Sequence, residues 1–219
     1  MEKTRILCFG DSLTWGYHPE TRDRIGEEAR WTGVLQRLLG DSCRVIEEGQ
    51  NGRTIATDDP AEGEKNGLQY IIPCLESQSP LDLMILMLGT NDLKHKFAYT
   101  APDIAGEMER FLEKVQSYNH YHMGGRMKLL LMAPPITGAV GQGSWLAESF
   151  DFPNAARVSA ALPELYRRLA ERFGCAFLNA AAVAQTSPAD GVHLSPEEQT
   201  KLGRAVYEKI MADGLLAKD

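Results

Sequence analysis

The chain has 219 residues, 43% of them apolar, and a formal net charge of -7. The apolar share supports a substantial core and argues against disorder, and the length fits one α/β domain over 1–219. The acidic balance disfavours a duplex nucleic-acid binder that works by phosphate neutralisation. Because Met1 to Arg5 runs straight into a short strand, we expect no signal peptide, no membrane span and a cytoplasmic protein.

Arg5 to Phe9 is the first predicted strand, and Gly10 breaks its apolar run just before Asp11 and Ser12. Tyr17 to Arg30 reads as an irregular polar loop. Trp31 to Leu39 has Val34, Leu35, Leu38 and Leu39 at helical spacing, with Gly40 as C-cap. Cys43 to Glu47 is the second strand, followed by the turn Gly49 to Thr54. Asp58 to Asn66 is another polar loop. Leu68, Ile71, Ile72 and Leu75 predict a helix that Pro73 should bend or shorten. Leu83 to Leu88 is a continuous apolar run, as in a parallel strand buried on both faces, and it ends in Gly89-Thr90-Asn91-Asp92.

Pro102 to Tyr118 is amphipathic and helical, and Lys128 to Met132 is the fourth strand, closed by Pro134-Pro135. The stretch at about 136–153 holds Gly138, Gly141, Gly143, Trp145 and Phe150 without a clean period, which suggests an inserted lid or interface loop. Asn154 to Phe173 is helical with Pro163 in its middle. Cys175 to Leu178 is the last strand, and the final helix runs from near Pro196 to Met211. This alternation predicts a three-layer α/β/α fold with a mostly parallel five-stranded sheet.

A nucleotide site is disfavoured, because no Gly-x-Gly-x-x-Gly follows the first strand and no phosphate-binding Gly-x-x-x-x-Gly-Lys-Ser/Thr follows any strand. Cys8, Cys43, Cys74 and Cys175 are scattered and apolar in context, so they read as small core thiols and not as a zinc site. No metal and no cofactor is expected.

Ser12 stands just past the end of a strand, where chemistry collects in parallel α/β proteins. It is open to three readings: nucleophile, hydrogen-bonding residue or helix cap. A serine nucleophile needs a base, an orienter for the base, and donors for the oxyanion. His193 is the best base among five histidines, because Asp190 precedes it by three residues in one polar loop. Asn91 offers a side-chain NH2, and Gly52 offers a backbone NH unshielded by a side chain. With the Ser12 NH they would make an oxyanion hole of three donors. The alternatives are a turn glycine at 52 and a capping asparagine at 91. Asp11, Asp92, Thr90 and Arg53 read as supports for these loops. Trp15 reads as lining the alcohol side or as core, and Trp145 and Phe150 as lining the entrance or meeting a neighbouring subunit.

Taken in order, these blocks resemble the SGNH hydrolases, the GDSL family of esterases and lipases. Gly10-Asp11-Ser12-Leu13 is similar to the family's first block, with Ser12 at the nucleophile. Gly52 matches the second-block glycine, Asn91 in Gly89-Thr90-Asn91-Asp92 the oxyanion asparagine, and Asp190 and His193 the last block. The resemblance covers essentially the whole chain and implies a flavodoxin-like SGNH-hydrolase fold. Gly10 to Gly16, Leu81-Asp82-Leu83, Met87 to Asp92 and Pro134-Pro135 resemble the bacterial arylesterase/acyltransferase branch. That implies a serine esterase for short-chain aryl or alkyl esters, an acyl-serine intermediate, water or an alcohol as acceptor, and homo-oligomers. The rival readings are a carbohydrate O-acetyl esterase with the same triad, and a catalytically silent binding module on the same fold.

Overall fold

The computed structural model describes residues 3–138 and 144–216. Gly141 and Gly143 of the long loop lie outside the described residues. The strands are β1 (Thr4–Gly10), β2 (Cys43–Gly49), β3 (Leu83–Met87), β4 (Lys128–Ala133) and β5 (Ala176–Asn179). They form one sheet in the order β2-β1-β3-β4-β5, and every pairing is parallel. The helices are α1 (Ser12–Trp15), α2 (Trp31–Leu39), α3 (Gly67–Gln78), α4 (Ala101–Met123), α5 (Phe152–Phe173) and α6 (Pro196–Ala212).

Side chains alternate across a strand, so β1 feeds two cores. Leu7 and Phe9 face α3, α4 and α5, together with Met84, Leu86, Leu129 and Leu131. Ile6 and Cys8 face α2 and α6, together with Leu83, Ile85, Leu130 and Met132. All five residues of β3 are buried, as a strand covered on both faces requires. Each fully buried Leu, Ile or Phe in these layers contributes about 1.5–3 kcal/mol relative to exposure. The four cysteines are free thiols, and all but Cys175 are buried. Among the described residues no helix is long and apolar enough to cross a membrane.

Pro73 lies inside α3 without shortening it, and Pro163 lies within α5, where the sequence placed it. In α5 the buried stripe Val158, Leu162, Tyr166 and Leu169 spans the proline, so packing on both sides outweighs the lost backbone hydrogen bond. By contrast, α4 departs from expectation and runs five residues past Tyr118, because Asn119 and Met123 are buried on its inner face. A Thr100–Asp103 capping box starts it, and Gly124 in the left-handed conformation ends it. In α2, Leu38 is exposed, whereas Leu39 packs on the second core.

The chain leaves β1 toward β2 on one side and β3 on the other. The turns after these three strands therefore meet at a topological switch point, where a crevice opens beyond the strand ends.

Candidate active site

β1 ends at Gly10 and turns at once into α1. Glycine is required there, since a Cβ would stand 2.0 Å from Thr14 Oγ1 and 2.8 Å from Met87 O. Asp11 caps α1: its Oδ1 accepts from the Leu13 amide at 2.9 Å. Capping thus falls to Asp11, and the Ser12 hydroxyl is left for other work. Gln199 of α6 anchors the turn from below, donating to Leu13 O at 3.0 Å and accepting from the Trp31 amide at 2.9 Å.

The loop before α6 supplies the partners. Asp190 Oδ1 accepts from the Val192 amide at 3.0 Å and the His193 amide at 2.9 Å. Its Oδ2 accepts from His193 Nδ1 at 2.6 Å. Burial works to raise the Asp190 carboxyl, but the bond and charge of His193 and the two amides hold it below the usual carboxylate range. With Nδ1 donating, Nε2 is left as the acceptor, and Ser12 Oγ donates to it at 2.9 Å. All three residues are buried, with Ser12 and His193 each 5% exposed. The Tyr17 ring lies on the imidazole, centroids 4.4 Å apart.

The turns after β2 and β3 complete the crevice. Gly52 has φ +83, a conformation that favours glycine. Among the described residues nothing accepts from the Ser12 or Gly52 amides. Asn91 opens a 3-10 turn and donates one Nδ2 hydrogen to Arg53 O at 3.1 Å, which leaves the second available. Asp92, fully buried, accepts from the Ile55 amide at 3.1 Å, so it ties the third turn to the second. Arg53 clamps the strand ends from within: its Nη1 donates to Gly10 O at 2.8 Å and to Glu48 O, and its guanidinium lies 4.2 Å from the Phe9 ring centroid. Burial pushes Asp11 up to about 6 and Asp92 up to about 7. Thr90 is buried, and its hydroxyl has no hydrogen-bond partner among the described residues.

These groups border a cavity of about 360 Å³. Ser12, Gly52, Asn91 and His193 line it. Trp145 and Phe150 line it as well, Phe150 buried in the core and Trp145 41% exposed. Trp15 is not part of the lining. It packs near Tyr17, with the Arg24 guanidinium 5.4 Å from its ring. Sequence reasoning missed Tyr17, Glu62, Lys65 and Lys94, all of which line the cavity. Lys94 had one available signal, a position three residues past Asn91. Glu62 had none, since its loop reads as a solvated charge run.

The GDSL-like Lipase/Acylhydrolase family matches residues 8–199 of this chain. No curated protein matches it. Among solved structures, Est24, a carbohydrate acetylesterase from Sinorhizobium meliloti, is 37% identical with a TM-score of 0.89, over 96% of this chain and 99% of that one. The native M. smegmatis aryl esterase is 35% identical with a TM-score of 0.87, over 95% and 99%. A lipase/acylhydrolase from Enterococcus faecalis, 18% identical with a TM-score of 0.63 over 96% of both chains, shares the fold.

Proposed function

The chain belongs to the GDSL-like lipase/acylhydrolase family and is a serine esterase of small esters, and from that premise we propose that Ser12, His193 and Asp190 are its catalytic triad. The observation that carries this reading is the buried hydrogen-bonded line from Ser12 Oγ through His193 to Asp190. Ser12 Oγ attacks the ester carbonyl carbon as its proton passes to His193 Nε2. Asp190 keeps the imidazole in the tautomer that can accept there and stabilises the cation that forms.

The carbonyl oxygen becomes an oxyanion, received by the Ser12 NH, the Gly52 NH and the free hydrogen of Asn91 Nδ2. Donors held in place before the reaction need no reorganisation as charge develops, which is what makes such a hole effective. His193 returns its proton to the leaving alkoxide, and the alcohol departs. Water, or an acceptor alcohol, then attacks the acyl-serine with His193 as base, and Ser12 recovers its proton. The cavity volume supports short acyl groups.

A burst of nitrophenol from nitrophenyl acetate, equal to one turnover per site, is the expected signature of acylation. No release of nitrophenol at all from folded protein would favour the silent binding module. Removal of acetyl groups from sugars is the second reading. It is supported by a cavity with aromatic rings at Tyr17 and Trp145 and charged groups at Glu62, Lys65 and Lys94, surfaces suited to sugar rings and hydroxyls. Acetylated oligosaccharides turned over faster than aryl acetates would establish it. The half-exposed Trp145 and Ile136 support assembly with further copies of the chain, which light scattering checks.

A further inference from the structure

We propose that Lys94 is a positioning residue of the oxyanion site, where it compensates the Glu62 carboxylate that presses on Gly52; the inference rests on Gly52 and Asn91 being the oxyanion donors. The residues between β2 and α3 form a tight turn in which the Glu62 and Gly63 amides both donate to Asp59 O at 3.0 Å. That turn seats Glu62 directly against Gly52: a Cβ on the glycine would lie 2.4 Å from Glu62 Oε2. A carboxylate thus borders the glycine whose amide is to receive an anion. Uncompensated, it would oppose the charge that develops on the substrate oxygen.

Lys94 answers it from the opposite turn. Its amide closes the 3-10 turn on Asn91 O at 3.2 Å, so its backbone moves with the asparagine. Its side chain is 5% exposed, and its ammonium pairs with Glu62 and lies 3.9 Å from Asp59 Oδ2. Lys96 adds a second ammonium, 2.5 Å from Asp59 Oδ2 and 3.8 Å from Glu62 Oε1. Two carboxylates and two ammoniums cancel. Lys94 and Asp59 are buried, and buried charges persist only when paired; Glu62 and Lys96, each with a side chain 36% exposed, supply the partners. Its placement, with Glu62 and Lys94 both lining the cavity, makes it bear on the reaction. The pair also joins the turn carrying Gly52 to the turn carrying Asn91.

The test is steady-state kinetics on a short aryl acetate with Lys94→Met, Glu62→Gln and the double variant. Lys94→Met leaves two carboxylates with the Lys96 ammonium alone, and kcat should fall about ten- to a hundredfold with KM little moved. Glu62→Gln leaves a surplus ammonium, and kcat should rise about threefold. The double variant should regain most of what Lys94→Met lost, and Lys94→Arg should retain more activity than Lys94→Met. Equal falls in both single variants with no recovery in the double would make the pair a mere cross-link and overturn the proposal. So would a change confined to KM. If Lys94→Met lacks a melting transition, Lys96→Met carries the test: a several-fold fall in kcat reversed by Glu62→Gln supports the proposal, and no change overturns it. Asn91→Ala is measured alongside. If kcat survives that change, the oxyanion assignment itself fails, whatever the charge variants do.

Discussion

The two walls of the cavity are built on different principles. The wall that carries His193 is local and closed. Asp190 and His193 belong to one turn, their hydrogen bonds are saturated, and the Tyr17 ring covers the imidazole. The opposite wall, with Gly52 and Asn91, is assembled from turns far apart in the chain and held by Asp92, Arg53 and the charged group around Lys94. Its amide donors are left open. A base must be oriented before it reacts, so its hydrogen bonds are completed in advance. An oxyanion hole must keep donors unsatisfied until charge appears, so its rigidity comes from neighbours that do not use those donors.

The largest effects should come from the His193 wall. Ser12→Ala should remove the acylation burst and lower turnover by on the order of 10⁴-fold or more, with thermal melting little changed. Asp190→Asn should cost about 10⁴-fold in kcat by leaving the wrong tautomer, which the same assay reads. Turnover should also fall on acidification, because a protonated imidazole cannot take the Ser12 proton. If Asp190→Asn were nearly silent, the closed wall would lose its function.

The open wall should respond more gently. Asn91→Ala should lower kcat about 10²- to 10³-fold with Ser12 still acylated, visible as a slower burst. A Tyr17→Leu change, which strips the ring from His193, should cost at most about tenfold in kcat, since ring contacts are worth about 0.5–1.5 kcal/mol. Tyr17→Phe should lose less than that.

The last comparison is in stability against pH. Asp11 and Asp92 have folded pKa values raised to about 6 and about 7, whereas an unfolded aspartate titrates at about 4. Between those limits the native state holds more protons than the unfolded one, so stability falls as pH rises from ~4 to ~7. Asp190 acts in the opposite sense: its depressed carboxyl contributes stability that is present above ~4 and lost as pH falls through its folded pKa. Chemical denaturation across this range should show the fall, and Asp92→Asn should flatten it. A slope unchanged by that variant would remove Asp92 from the account.

The parallel sheet was legible because strands buried on both faces leave uninterrupted apolar runs, as Leu83 to Met87 does. The Asp190–His193 partnership was legible because a spacing of three residues can be read along the chain. The extent of α4 was not, since Asn119 and Met123 take their inner positions only once the neighbouring elements are packed. Tyr17, Glu62 and Lys94 were missed for the same reason: each acts through a residue distant in sequence or from a loop without periodicity.

By itself, then, the order of residues determined the element types, the layers they form and the chemistry available at each strand end. These depend on local periodicity and on residue type. Tertiary structure alone decided that Asp11 and not Ser12 caps α1, that Trp15 turns away from the cavity while Tyr17 covers the imidazole, and that a carboxylate rests against Gly52. Those outcomes depend on distances between segments far apart in the chain, which packing sets and local pattern does not encode.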